Sequence, residues 1–183
     1  GKACVLLTGG AGSEVLNTRC RIIDCELVAS GAGGFSLKAD SVNKVQASGG
    51  DWGGGNALSA IRVTNCASVS LHGQVRLPSL QMDNDAGGAT PATVTSSYTV
   101  SGAGSVGDVQ STLTTEGSLG LTNCGLVGDV SLAGDMSFTA SSCALGDLTV
   151  DGTLAATLRN STHGALAGAG TLDIESVQGV AAF

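Results

Sequence analysis

Five aromatic side chains, one Trp, one Tyr and three Phe, are all that the 183 residues supply. A conventional core of large rings is hard to build from so few. Charge is scarce too, at 13%, and basic charge is scarcest: eight Lys and Arg against fifteen Asp and Glu leave a net charge of −7. That balance excludes a basic nucleic-acid platform. No apolar run approaches the length of a membrane span and no signal-peptide pattern opens the chain, so neither nucleic acid nor membrane insertion is expected. The low hydropathy of disordered chains is also missing, since 42% of residues are hydrophobic and the mean hydropathy is +0.29. A helical apolar period cannot be followed beyond about two turns before Gly, Ser or Thr interrupts it, which argues against helices.

What is present is small. Gly alone accounts for 29 residues, and Gly, Ala, Ser and Thr together make up nearly half the chain. Short alternating pieces recur, among them Tyr98-Thr99-Val100, Val130-Ser131-Leu132, Met136-Ser137-Phe138, Leu148-Thr149-Val150 and Leu172-Asp173-Ile174. Each places two apolar side chains on one face, the period-2 pattern of a half-buried strand. Gly-Asp, Asp-Gly and Gly-Ala-Gly pieces separate them, which is turn chemistry.

The spacing of these strands carries more than the strands themselves. The apolar pair Val130/Leu132 is followed by Met136/Phe138, and Val69/Leu71 is followed at the same interval by Val75/Leu77. Cys124, Cys143 and His163 recur at a nearly even interval, so 122–140, 141–160 and 161–180 read as three consecutive repeats. One strand plus a corner fits the shorter interval, and three such steps close a coil. The expected fold is therefore all-β: a β-solenoid (β-helix) of short strands with rungs of about 18–20 residues. Its narrow core should favour Val, Leu, Ala, Ser and Cys over Trp and Tyr. Cys66, Cys124 and Cys143 should stack in one column, with His163 in the place where the earlier repeats have Cys. The segment 1–83 reads as an irregular N-terminal β region, 84–95 as a Gly/Pro/Thr-rich break, and 96–183 as regular repeats ending in the apolar cap Val180-Ala181-Ala182-Phe183.

Several motifs bear on chemistry. Val5–Val15 (VLLTGGAGSEV) has the first two glycines of a dinucleotide-binding turn, but Val15 stands at the third and no helix follows, so it reads as a β-turn. The six cysteines lack zinc spacing and read as mostly reduced and buried, with Cys20–Cys25 the one candidate bridge. His72 and His163 form no ligand cluster in the sequence. Between Arg76 and Arg159 the chain has eight acids and no base, which reads as a solvated acidic surface. Asp83-Asn84-Asp85 begins like a calcium loop, but Val94 replaces the glutamate an EF-hand needs at its twelfth position. Ice-binding threonine ladders would need Thr-x-Thr on every rung, whereas Thr112/Thr114 and Thr93/Thr95 are isolated. The candidate ligand-binding residues are Asp51, Trp52, Asp83 and Asp85. A ring beside an acid in a glycine-rich loop (DWGGGN) can stack on a sugar and bind its hydroxyls. No catalytic residue, metal site or cofactor is expected.

The frames TNCGLVGDVSLAGDMSFTA and SSCALGDLTVDGTLAATLRN, with the Gly/Ser/Thr texture of 93–180, resemble the shaft or tip domains of bacteriophage tail fibres and tailspikes. That resemblance implies a homotrimer at the virion surface, without enzymatic activity, which attaches to a host cell-surface polysaccharide or protein. The alternatives are a bacterial surface adhesin or a filament-forming β-solenoid of the bactofilin kind, either extracellular or at the cell surface. A glycan-cleaving enzyme is the remaining one, its carboxylates drawn from pairs such as Asp83/Asp85 or Asp173/Glu175.

Overall fold

The computed structural model describes residues 3–8, 19–27, 34–52, 60–84, 96–114 and 117–175. Along them run β1 (Ala3–Thr8), β2 (Arg19–Ile23), β3 (Phe35–Asp40), β4 (Lys44–Ser48), β5 (Ala60–Thr64), β6 (Ser68–His72), β7 (Arg76–Leu77), β8 (Ser79–Asp83), β9 (Ser97–Ser101) and β10 (Ser105–Val106). They continue as β11 (Val109–Thr112), β12 (Gly117–Thr122), β13 (Leu126–Val127), β14 (Val130–Ala133), β15 (Met136–Ser141), β16 (Ala144–Leu145), β17 (Leu148–Asp151), β18 (Thr153–Arg159), β19 (Leu166–Ala167) and β20 (Thr171–Glu175). No helix occurs among the described residues.

Every pairing is parallel, and the strands sort into three sheets. Sheet A stacks β1-β3-β5-β8-β11-β14-β17-β19, sheet B stacks β2-β4-β6-β9-β12-β15-β18-β20, and the short sheet C stacks β7-β10-β13-β16. The chain passes from A to B to C and back to A, one coil above the last: a three-sided β-solenoid. In sheet A, Leu80 pairs with Val109, Val109 with Val130, Val130 with Leu148 and Leu148 with Leu166. The intervals between these partners shrink along the chain and then hold constant, so the coils shorten to a fixed length. Pairing of β8 with β11 and of β6 with β9 carries both large sheets past the 84–95 segment, of which 85–95 lies outside the described residues. The Gly10/Gly12 turn and the C-terminal segment Val180–Phe183 lie outside them as well.

Alternation within each strand sends one set of side chains into the coil, where like stacks on like. Val130/Leu132 enter from sheet A and Met136/Phe138 from sheet B, as their spacing foretold. The core differs from expectation in its rings. Trp52, Tyr98 and Phe138 are the largest fully buried side chains, and Tyr98, Leu119 and Phe138 follow one another in a single column. The Tyr98 hydroxyl is satisfied there, accepting from Cys66 N (3.2 Å) and donating to Asp83 O (3.3 Å).

The corners explain the punctuation. After sheet B the chain turns through Asp24, Gly49, Gly73, Gly102, Asn123, Ser142 and Asn160, all with φ between +47° and +71°. Gly, Asn and Asp tolerate this left-handed conformation best, which is why Gly and Asx recur there. Corner N–H groups donate to the last strand carbonyl of the next coil, for example Asn123 N to Ser141 O at 2.8 Å. Thr64-Asn65-Cys66 and Thr122-Asn123-Cys124 share this conformation but occupy different corners: the first follows sheet A, the second sheet B. Cys66 therefore does not stack with Cys124 and Cys143, and the two tripeptides are not a whole number of coils apart. Beyond Cys143 the column continues with Ser161, whose Oγ accepts from Cys143 N at 3.2 Å. His163 lies just past that place, because the coil is shorter than the step from Cys143 to His163.

Candidate ligand-binding face

Asp51 and Trp52 extend the sheet C side toward the N-terminus: Leu27 N donates to Asp51 O and Trp52 N donates to Arg76 O. The inward column there is Leu27, Trp52, Leu77, Val106, Val127 and Leu145. Trp52 is 1% exposed, its Nε1 donates to Cys25 O at 3.0 Å, and its carbonyl accepts from Ser36 Oγ at 3.1 Å. The ring is a core member and has no face open to a sugar. Asp51 is engaged by the guanidinium of Arg76 one coil later, through Nε to both carboxylate oxygens (3.2 and 3.1 Å) and Nη2 to Oδ2 (2.6 Å). That bidentate contact raises the Arg76 pKa.

Asp83 ends β8 on a different side, sheet A, and Asp85 lies outside the described residues. The fold thus keeps Asp83 apart from Asp51 and Trp52 and gives it other neighbours. Pairing aligns Arg62, Gln81, Gln110, Ser131 and Thr149 in one outward column, with Thr64, Asp83 and Thr112 in the next. Arg62, Gln81, Asp83, Gln110, Thr112 and Ser131 line an open polar cavity of about 350 Å³. One guanidinium, one carboxylate, two amides and two hydroxyls face a common space, repeated at the strand spacing of about 4.8 Å. Such a groove can hydrogen-bond a chain of hydroxyls along its length. Sequence reading missed Arg62 and the two glutamines because the unequal coils of this region hide their alignment.

Sheet B presents a second polar face. Ser97, Thr99 and Ser101 on β9 align with Ser118, Gly120 and Thr122 on β12 and with Ser137, Thr139 and Ser141 on β15. A search for Thr-x-Thr alone overlooks this array, since serine occupies most of its places. Towards the N-terminus the same face carries a smaller polar hollow of about 150 Å³ lined by Arg21, Gln46, Ser70 and His72. His72 Nδ1 lies 2.9 Å from Ser101 Oγ, while His163 Nδ1 bonds Gly164 O at 2.8 Å. No group of three or more His, Cys, Asp or Glu suited to a metal ion occurs among the described residues.

The acids of the Gly-Asp pieces serve the backbone. Asp108 Oδ1 accepts from Asp129 N (3.1 Å), Asp129 Oδ1 from Asp147 N (3.0 Å), and Asp147 Oδ1 from Ala165 N (2.8 Å). This ladder runs up the corner between sheets C and A and satisfies N–H groups that no strand partner reaches.

The cysteines at positions 20, 25, 66, 124 and 143 are all free thiols, so the candidate Cys20–Cys25 bridge does not form. Burial pushes the Cys66 thiol up to about 11. Cys124 and Cys143 sit on successive coils of one inward column. Interaction between the two neighbouring thiols pulls Cys143 down to about 7, against the opposing effect of burial, and the same interaction pushes Cys124 well up.

No protein family, curated protein or solved structure matches the chain.

Proposed function

We propose that this chain is a non-enzymatic attachment and structural module, of the kind found in phage tail fibres and spikes, that binds a host cell-surface glycan. The polar cavity on sheet A carries the reading. Arg62, Gln81, Asp83, Gln110, Thr112 and Ser131 offer donors and acceptors in a linear array on a rigid stack, which suits a repeating polyhydroxylated polymer better than a compact metabolite. Arg62 gives it a preference for acidic sugars, whose carboxylate a guanidinium can hold in bidentate fashion. Side-by-side packing of the same chain through its lateral sheets would complete a homotrimer at a virion surface.

A glycan array probed with the labelled chain tests the reading, followed by titration calorimetry on the best hit. Arg62→Ala should weaken binding about 10-fold or more, the loss expected for a charge-assisted hydrogen bond. Trp52→Phe, a change inside the core, should leave affinity unaltered. Binding that ignores Arg62 and Gln81, or depolymerisation of the polysaccharide by the purified chain, would overturn the reading.

A further inference from the structure

No strand among the described residues pairs with the outer edge of either end of the stack. Among the described residues, β2 and β20 are the outermost strands of sheet B, and β1 and β19 those of sheet A. An outermost parallel strand presents a row of unpaired N–H and C=O groups and is a template for another strand. The register shows which strand. One register column of sheet B begins at Arg19 and passes through Lys44, Ser68, Ser97, Ser118, Ser137 and Ala155 to end at Asp173. A second, two positions along each strand, begins at Arg21 and ends at Glu175 by the same pairings. The column between them runs through the core from Val45 to Ala156, and the register pairs Cys20 with its first member and Ile174 with its last. Both of the flanking columns therefore have a base at the first rung and an acid at the last.

Sheet A adds an apolar match. Leu166 on β19 belongs to the buried column of Leu148, Val130, Val109 and Leu80, yet it is 49% exposed because no described strand covers it from beyond. The same column starts at Val5 on β1. Leu6, 63% exposed, heads the outward column that Ala167 ends. Charge follows the axis as a whole: seven of the eight basic residues lie within 1–76, and 84–183 holds nine acids against Arg159 alone.

We propose that copies of this chain stack head to tail, β19 and β20 of one copy against β1 and β2 of the next, in the register of the existing coils. Asp173 then falls opposite Arg19, Glu175 opposite Arg21, and Leu166 opposite Val5. The chain already makes one such contact within itself, where Asp51 meets Arg76 one coil later, acid first and base second. Because the two patches differ, the contact is heterologous; with the axes aligned it does not close and builds a filament. This inference concerns the ends of the stack and does not depend on what the sides bind.

Sedimentation velocity of the full chain over a range of concentrations, at low and high salt, tests it. A ladder of sizes that grows with concentration and shrinks with salt is expected. Arg19→Glu with Arg21→Glu, or Asp173→Lys with Glu175→Lys, should each weaken association about 10-fold or more, since two attractive pairs become repulsive. All four substitutions in one chain should restore it, and mixing the two double variants should give mixed filaments where neither assembles alone. Restoration separates an interface effect from damage to the fold, which circular dichroism of each variant also monitors. A monomer at every concentration, a closed trimer indifferent to these charges, or a natively folded four-substitution variant that fails to regain association would overturn the proposal.

Discussion

Replacing Gly128 with alanine is expected to cost about 2–4 kcal/mol. Gly128 stands at the corner between β13 and β14, on top of the Gly107–Asp108 pair of the coil before. A Cβ there would overlap Asp108 Oδ1 and lie 2.8 Å from Asp108 N and 2.9 Å from Gly107 C. The carboxylate can swing aside, but it then abandons the Asp129 N–H that donates to it at 3.1 Å. An exposed hydrogen bond of that kind contributes about 1 kcal/mol. The two backbone atoms cannot swing, so coil must move away from coil, and overpacking that shifts backbone costs about 1–3 kcal/mol. For a chain of this length each increment of about 1 kcal/mol shifts Tm by about 2–4 °C, so thermal unfolding followed by far-UV circular dichroism should show a fall of about 4–16 °C. Asp108→Ala alone should lose about 1 kcal/mol, and the double variant should cost less than the sum of the two by a similar amount, because the carboxylate's share is then counted once. An unchanged Tm for Gly128→Ala, or strict additivity in the double variant, would refute the account of the ladder as a close-packed backbone column.

Three further outcomes follow from the interior. Phe138→Ala, which empties a column between Leu119 and Ala156, should cost about 3–5 kcal/mol by urea unfolding. Gln74 is 1% exposed and its amide oxygen and nitrogen have no partner among the described residues, so Gln74→Leu should raise stability by about 1–3 kcal/mol in the same assay. For the thiol pair, ultraviolet titration should show one thiolate forming below the ordinary thiol range, and Cys124→Ala should abolish it. Because Cys143 in the fold titrates at about 7, below its unfolded value, its contribution to stability is full above the unfolded value and is lost as pH falls through about 7. Cys124 is shifted the other way and withdraws stability once pH passes its unfolded value, so urea midpoints should peak near the unfolded thiol value of about 8.5.

The C-terminal half was legible because its coils are nearly equal. Where Val130, Leu148 and Leu166 recur at one fixed interval, a period can be counted by eye, and the apolar pairs at 130/132 and 136/138 declare both strands and corner. Insertions in the N-terminal coils break that count. Trp52 read as a surface ring because the glycines after it resemble a loop, whereas the register of Leu27 and Leu77 puts it in the core. Thr-Asn-Cys misled for a related reason: it fits a corner that needs a left-handed residue before a small buried one, and such corners follow sheet A at Asn65 as well as sheet B at Asn123. The sheet A cavity was invisible to spacing altogether. Arg62, Gln81 and Gln110 become neighbours only through pairing, and nothing local in the chain distinguishes them from other exposed polar residues.

The constancy of the last coils has a consequence for evolution and engineering. Since each of them touches only the coils before and after it, length is a quantity this protein can change in whole steps. Duplicating the segment 142–159 would insert one Ser-Cys-Ala-Leu coil between two that already accept it, and lengthen the particle by about 4.8 Å. Deleting the same segment would shorten it equally and bring Ser141 onto Asn160 with no corner lost. The chain is in that sense a ruler graduated by its own backbone, and a gene that gains or loses the codons of one coil would move the tip by one mark.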